Sequence, residues 1–214
     1  QNYRMIRKEQ EARVERDRIK IAAAINNGQC VYKDERGYYR WKNPITEKDE
    51  PYNVNHIIEK YGLDFDVIGM SYYPFWNGSI EALVANMNDI SSTYHKDVMV
   101  VETSIGYTTD SFGCNAMVYS KELEKKTPYP GTKAGQEEFM HALIHAVRNV
   151  NDHRGIGVVY WEPAWLPFPD CAWAKPIGCE YMHDKAELGN SWANQALFDE
   201  QGNANPALRN LKLM

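Results

Sequence analysis

The feature that most constrains the fold is a set of three short apolar runs, each followed by aromatic or acidic residues. The runs cover residues 65–70, 97–101 and 157–160. Each has the length and β-branched content of a buried strand. A Ser-Tyr-Tyr-Pro-Phe-Trp segment follows the first run, and Glu102 follows the second. Trp161 and Glu162 follow the third. Because α/β sheets and barrels build their sites at the carboxyl ends of strands, the sequence predicts a cleft lined by these side chains.

The segments between these runs have helical patterns. Ser79 is suited to capping a helix that has apolar residues at positions 80, 83, 84, 87 and 90. Thr132 is suited to starting an amphipathic helix that continues to Val150. Connections of this length suit parallel strands. The strands are apolar throughout, as enclosed strands are. The α/β pattern therefore favours half of an eight-stranded barrel over a small open sheet, which would need polar edge strands.

The rest of the chain is predicted from weaker patterns. We expect a helix at 1–18, a strand at 19–25, a polar loop up to Pro51 and a helix at 52–61. Irregular segments are expected at 103–131 and 164–191, and a short helix at 206–211. A length of 214 residues suits one catalytic-type domain over residues 1–214.

Composition excludes some functions. A net charge of −5 argues against a nucleic-acid surface, and no apolar run is long enough for a membrane span. The four cysteines have no CxxC spacing, so a structural zinc site is not expected. Cys171 and Cys179 either close a small disulfide loop in an exported protein or remain thiols, and the sequence leaves both possibilities open.

Several motifs, in order, resemble glycoside hydrolase family 53, the endo-β-1,4-galactanases. Residues 66–76 (DVIGMSYYPFW) are similar to barrel strand six of that family, and 100–103 (VVET) to strand seven, which carries the catalytic nucleophile. Residues 132–139 resemble the next helix, 160–165 (YWEPAW) strand eight, and 194–199 (NQALFD) the C-terminal segment.

The resemblance implies the C-terminal half, strands five to eight, of a (β/α)8 TIM barrel. The family's acid/base glutamate follows a Gly-Asn-Glu motif on strand four, and this sequence contains no such motif. We therefore expect the N-terminal half to be absent and this chain alone to hydrolyse galactan poorly. The family also implies an extracellular or periplasmic location. The expected partners are a β-1,4-galactan oligosaccharide and either the missing half or a second copy that completes the barrel.

The residues alone suggest Glu102 and Glu162 as a pair of catalytic carboxylates, because both follow strands of one sheet. The resemblance instead makes Glu102 the nucleophile and Glu162 a rim residue, for which a structural ion pair is favoured over catalysis. Of the substrate-binding candidates Tyr72 and Tyr73, one is expected to hydrogen-bond Glu102 and the other to pack in the core.

The remaining candidates are aromatic or metal-binding side chains. Trp76, Trp161 and Trp165 are candidates for stacking on sugar rings, with core packing as the alternative. His141 and His145 have an i, i+4 spacing that can hold a metal, but a solvated helix face is favoured because no third ligand is apparent. No cofactor is expected. Calcium, which some bacterial relatives bind after strand eight, is kept open through the oxygen donors Asp170, Asp184 and Asn190.

Overall fold

The computed structural model describes the chain in several ranges. They are residues 31–33, 39–42, 48–51, 65–114, 117–168, 172, 174–183 and 189–213. The chain forms two compact units, Gln1–Phe65 and Asp66–Met214. The expected helix at 1–18, strand at 19–25 and helix at 52–61 lie outside the described residues, and the expectation of one domain stays a prediction.

The first unit contains an antiparallel three-stranded sheet. Its strands are β1 (Val31–Lys33), β2 (Tyr39–Lys42) and β3 (Asp49–Pro51), with β2 paired to both neighbours. The predicted polar loop up to Pro51 is therefore wrong at these strands, while its other residues lie largely outside the described ranges. The signal that was missed is the alternation of aromatic and charged residues in Tyr39–Lys42, which is the period-two pattern of a strand.

The second unit contains a parallel three-stranded sheet in the order β4 (Val67–Ser71), β5 (Asp97–Thr103), β6 (Gly155–Tyr160). All three predicted strands are confirmed. The described α-helices of the unit are α1 (Pro74–Asn77), α2 (Ile80–Tyr94), α3 (Lys121–Glu124), α4 (Lys133–Arg148) and α5 (Pro176–Tyr181). Described 3-10 helices are Asn151–His153, Ala193–Gln195 and Pro206–Leu213.

The two long helices begin where the sequence predicts. The Ser79 hydroxyl accepts a hydrogen bond from the Ala82 amide and starts α2, and Thr132 accepts one from Gly135 to start α4. Gly135 is required there, because a Cβ would lie 2.0 Å from the Pro130 carbonyl oxygen. The predicted irregular segments are wrong in part, since they contain α3 and α5, and the last helix (Pro206–Leu213) is 3-10 rather than α.

The core of the second unit lies between one face of the sheet and the helices. Val98, Val100 and Val158 are buried on this face, together with side chains of α2 and α4: Leu83, Met87, Phe139, Leu143 and Val147. Within the second unit, no described helix packs on the opposite face of the sheet. Val67, Val101 and Val159 are 37–47% exposed there. Among the described residues of this unit, an apolar parallel sheet is thus packed on one side only, although such sheets are normally covered on both faces.

Candidate active site

Glu102 lies at the carboxyl end of the middle strand, within an irregularity of β5. The strand extends two residues beyond the predicted end at Val101, to Thr103. Toward β4, the pair Met70–Val100 is followed by Ser71–Glu102, so β5 has one extra residue. Toward β6, the pair Val100–Val158 is followed by the pair Thr103–Tyr160. Three residue steps along β5 therefore correspond to two along β6. This is a β-bulge, which changes the direction of the side chains that follow it.

The bulge determines which way the carboxylate points. Strict alternation would place Glu102 on the same side as Val100, against the helices. Instead Thr103 is the fully buried residue after Val100, while Val101 is exposed and Glu102 is partly exposed. The extra residue therefore directs the Glu102 side chain away from the helix-packed core.

Tyr73 is the hydrogen-bond partner of Glu102. Its hydroxyl donates to Glu102 Oε1 at 2.6 Å, and its backbone amide donates to Asn77 Oδ1 at 2.7 Å, which fixes the turn into α1. Burial, followed by the bond to Glu102, raises the pKa of the Tyr73 phenol well above its usual value. The phenol therefore remains protonated and acts as the donor, so the prediction that one tyrosine bonds Glu102 is confirmed.

Tyr72 is the tyrosine that packs in the core. It is 1% exposed, its ring stacks on Phe139 with centroids 6.3 Å apart, and its hydroxyl donates to the Gly78 carbonyl at 2.9 Å. Its backbone amide donates to the Glu102 carbonyl at 2.8 Å and continues the sheet past β4. Its side chain is buried away from the Glu102 side of the strand, so the structure gives no support to Tyr72 as a substrate contact.

An aromatic cluster surrounds the Tyr73–Glu102 pair, and Trp192 is at its centre. The Trp192 ring centroid lies 5.7 Å from that of Tyr73, 6.2 Å from Trp76 and 6.3 Å from Trp161. Trp76 and Trp161 are the most exposed members, at 52% and 36%. Trp192 was not among the site residues predicted from the sequence. The available signal was its position two residues before the NQALFD segment, and in the structure it directly precedes the 3-10 helix Ala193–Gln195.

The residues after β6 form a tight turn at the edge of this cluster. Trp161 donates its amide to the Thr103 carbonyl at 2.8 Å, which holds it beside the end of β5. Glu162 has a positive φ of 46° and is partly exposed. Among the described residues its carboxylate has no ion-pair partner, so the suggested structural ion pair is not found there. Trp165 is partly exposed and makes no described ring contact with the cluster.

A buried polar network supports the site from the core side. Gln136 of α4 is fully buried, and its Nε2 lies 3.1 Å from the Ile105 carbonyl and 3.0 Å from the Ala196 carbonyl. The Tyr160 hydroxyl donates to the Gln195 carbonyl at 2.7 Å, and burial raises its pKa. These bonds join the end of β6 and the segment after β5 to the turn that carries Trp192.

The other chemical candidates are placed as follows. His141 and His145 are exposed, as the solvated-face prediction requires. Cys179 is a free thiol, which supports the thiol alternative, while Cys171 lies outside the described residues. Within the described ranges, no three His, Cys, Asp or Glu side chains form a metal cluster, and no helix is long and apolar enough to cross a membrane.

Of the three residues suggested for calcium, the structure describes Asn190 alone, so the possibility of a calcium site stays a prediction. Asn190 is 7% exposed, and its Oδ1 accepts the Trp192 amide at 3.0 Å. This bond uses the amide oxygen in a local turn. Asp170 and Asp184 lie outside the described residues.

Comparison with known proteins identifies similar sequences and folds. The family model for glycosyl hydrolase family 53 matches residues 39–211. The endo-beta-1,4-galactanase of Bacillus subtilis is 31% identical over 91% of this chain and 50% of the relative. The arabinogalactan endo-beta-1,4-galactanase of Cellvibrio japonicus is 34% identical over 68% of this chain and 35% of the relative.

A solved structure extends the similarity to the fold. The GH53 catalytic domain of Ignisphaera aggregans has 31% sequence identity and a TM-score of 0.65, over 75% of this chain and 42% of that structure. This similarity indicates a TIM-barrel-type fold for the matched part. The chain spans half or less of the length of these relatives.

Proposed function

Because this chain belongs to glycosyl hydrolase family 53, we propose that it is the nucleophile-bearing half of a retaining endo-β-1,4-galactanase. The observation that carries the proposal is the 2.6 Å bond from Tyr73 to Glu102 at the carboxyl end of the middle strand. A carboxylate held by a protonated phenol, directed out of the core and surrounded by indole rings, has the features of a glycosidase nucleophile.

Glu102 has the role of attacking group in this mechanism. One carboxylate oxygen attacks the anomeric carbon of the galactosyl unit, the glycosidic bond breaks, and a covalent glycosyl-enzyme forms that water then hydrolyses. Tyr73 donates to Oε1 and leaves the other oxygen for attack. A charge-assisted bond of this kind is short and stronger than a neutral one, so it fixes the carboxylate orientation before substrate arrives.

The aromatic cluster supports a carbohydrate substrate. Trp76 and Trp161 present exposed indole surface beside the pair, while Trp192 packs between them. Indole faces suit the apolar faces of pyranose rings. A β-1,4-galactan chain is the proposed ligand, on the basis of the galactanases that this chain resembles. Tyr73, Trp76, Trp161 and Trp165 are the proposed contacts, with Glu162 at the rim. Mannan or cellulose is a weaker alternative, tested by the same assays.

The proposed acid/base comes from outside this sequence. Retaining hydrolysis needs a second carboxyl group about 5–5.5 Å from the nucleophile, and this sequence lacks the Gly-Asn-Glu motif that carries that group in the family. The uncovered apolar face, with Val101 and Val159 exposed, supports a half-barrel that requires further strands. We propose that these strands, and the acid/base, belong to an N-terminal half that corresponds to the part of the relatives this chain does not cover. The polysaccharide substrate makes an extracellular or periplasmic location part of the proposal.

One alternative function has specific support. The uncovered sheet face would equally suit a non-catalytic half-barrel that binds glycan or pairs with a second copy of itself. Mass in solution and galactan binding by Glu102→Gln distinguish the possibilities. A dimer that binds glycan and shows no hydrolysis with any complementary half favours the alternative, whereas a monomer without glycan affinity counts against both.

The main test is complementation. We expect the chain alone to release little product from galactan, and co-expression with the N-terminal half of the Bacillus subtilis galactanase to restore hydrolysis. In the restored enzyme, Glu102→Gly should be inactive but rescued by azide, giving a galactosyl azide of inverted configuration. Glu162→Gly is the control and should give no such product. Activity that survives Glu102→Ala would exclude Glu102 as nucleophile.

A further inference from the structure

Helix α4 carries two neighbouring imidazoles that the proposed reaction does not use. His141 and His145 are one helical turn apart and both exposed. Their ring centroids are 4.3 Å apart, with the ring planes inclined by 47°. Residues at i and i+4 share one face of a helix, and the contact shows that these two side chains meet in the folded protein.

We propose that His141 and His145 form a two-histidine site for a divalent late transition metal, of the class of Ni²⁺ and Cu²⁺. Imidazole nitrogens are good ligands for these ions, and two histidines at this spacing on a helix can chelate one metal. Because both residues are exposed, water completes the coordination. The site is separate from Glu102 and the aromatic cluster, which lie on other elements.

The separation of the rings is short enough for both to bind one metal. A metal bound to an imidazole lies about 2.1 Å from the nitrogen, and the nitrogen lies about 1.1 Å from the centre of its ring. A shared metal would therefore lie about 3.2 Å from each ring centroid. With centroids 4.3 Å apart, the two directions then meet at the metal at about 85°. This is close to the cis angle of a square-planar or octahedral ion and well below the tetrahedral angle that Zn²⁺ prefers. A shared metal with ligands at this angle suits the coordination that Cu²⁺ and Ni²⁺ prefer.

Titration of the full chain with nickel chloride tests the proposal. Calorimetry in a non-chelating buffer at neutral pH should give one Ni²⁺ per chain. His141→Ala and His145→Ala should each weaken the affinity at least about tenfold, because a single imidazole cannot chelate. Exposed alanines in a helix are well tolerated, so the variants should fold. The matched controls are His153→Ala, an exposed histidine outside α4, and Cys179→Ser, and both should keep the wild-type affinity.

A second readout measures folding linkage. Binding to the folded helix should raise the melting temperature of the wild-type chain in Ni²⁺ and leave that of the double variant unchanged. Unchanged Ni²⁺ affinity in the double variant, loss of affinity in either control, or no binding by the wild-type chain would overturn the proposal. Tighter binding of Zn²⁺ than of Ni²⁺ would overturn the assigned metal class.

Discussion

The Tyr73 hydroxyl and Glu102 Oε1 are 2.6 Å apart and join the ends of two neighbouring parallel strands. Two local features of the chain produce this contact. The turn after β4 orients Tyr73 through Asn77, and the bulge in β5 directs Glu102 out of the core. The pair therefore depends on backbone geometry at both strand ends as well as on residue identity.

Removing the Tyr73 hydroxyl should affect turnover more than binding. Tyr73→Phe keeps the ring in the aromatic cluster and deletes the donor to Glu102. A hydrogen bond to a charged group contributes about 1.5–3 kcal/mol, so kcat of the complemented enzyme should fall about ten- to a hundredfold. Steady-state kinetics on galactan oligosaccharides should show little change in KM.

Tyr72→Phe is the matched control, because it deletes the neighbouring hydroxyl, which donates to Gly78. It should cost about 1 kcal/mol of unfolding free energy and leave kcat unchanged. Equal losses of kcat in the two variants would contradict a specific role of Tyr73.

Exposed indole surface should contribute to glycan affinity. Trp76→Ala removes the most exposed ring of the cluster, and in a Glu102→Gln background we expect about tenfold weaker binding of a galactan oligosaccharide. Tyr181→Ala, at an 83% exposed aromatic residue of α5, is the control and should not change the affinity. Calorimetric titration with the oligosaccharide measures the affinity of both variants. An equal loss of affinity in the two variants would exclude a specific stacking site at Trp76.

The sequence predicted the elements whose pattern is local. Apolar runs gave the three parallel strands, and capping residues with 3–4 residue spacing gave α2 and α4. The alternation of side chains along a strand also predicted that one of Tyr72 and Tyr73 would face the core. These features depend on neighbouring residues only, so one sequence is enough to find them.

Other features depend on contacts between distant residues. The bulge that directs Glu102 is defined by the registers of β4 and β6 against β5, which the β5 sequence alone does not contain. Trp192 joins the cluster because buried side chains such as Gln136 hold its turn near the strand ends. The short strands β1 to β3 were missed because their polar residues resemble a loop unless the alternation in β2 is given weight.

The ion pair between Lys133 and Asp199 should make stability depend on acid pH. The Lys133 ammonium lies 2.8 Å from Asp199 Oδ2, and this hydrogen bond is the main cause that lowers the pKa of Asp199 to about 2. A lowered folded-state pKa stabilises the protein above the unfolded-state value, and that contribution is lost as pH falls from about 4 toward 2. Melting temperatures of the wild-type chain should therefore decrease more steeply in this window than those of Lys133→Met.

Lys126→Met is the control for this ion pair, because it removes the same single positive charge from an exposed lysine at another position. Its melting temperature should follow the wild-type pH dependence, and parallel curves for all three proteins would exclude the ion pair as the cause.

Gln136 should contribute to global stability through its buried amide. Gln136→Leu preserves approximate volume and removes the donor that lies 3.1 Å from the Ile105 carbonyl and 3.0 Å from the Ala196 carbonyl. Buried acceptors left without a partner are costly, so we expect a loss of about 2–4 kcal/mol in the free energy of unfolding. Gln201→Leu, at an exposed glutamine, should change it by less than about 0.5 kcal/mol. Urea unfolding measures the free energy of unfolding of both variants, and their midpoints can be compared directly if the m-values are equal. Similar midpoints for the two variants would show that the network around Gln136 does not stabilise the fold.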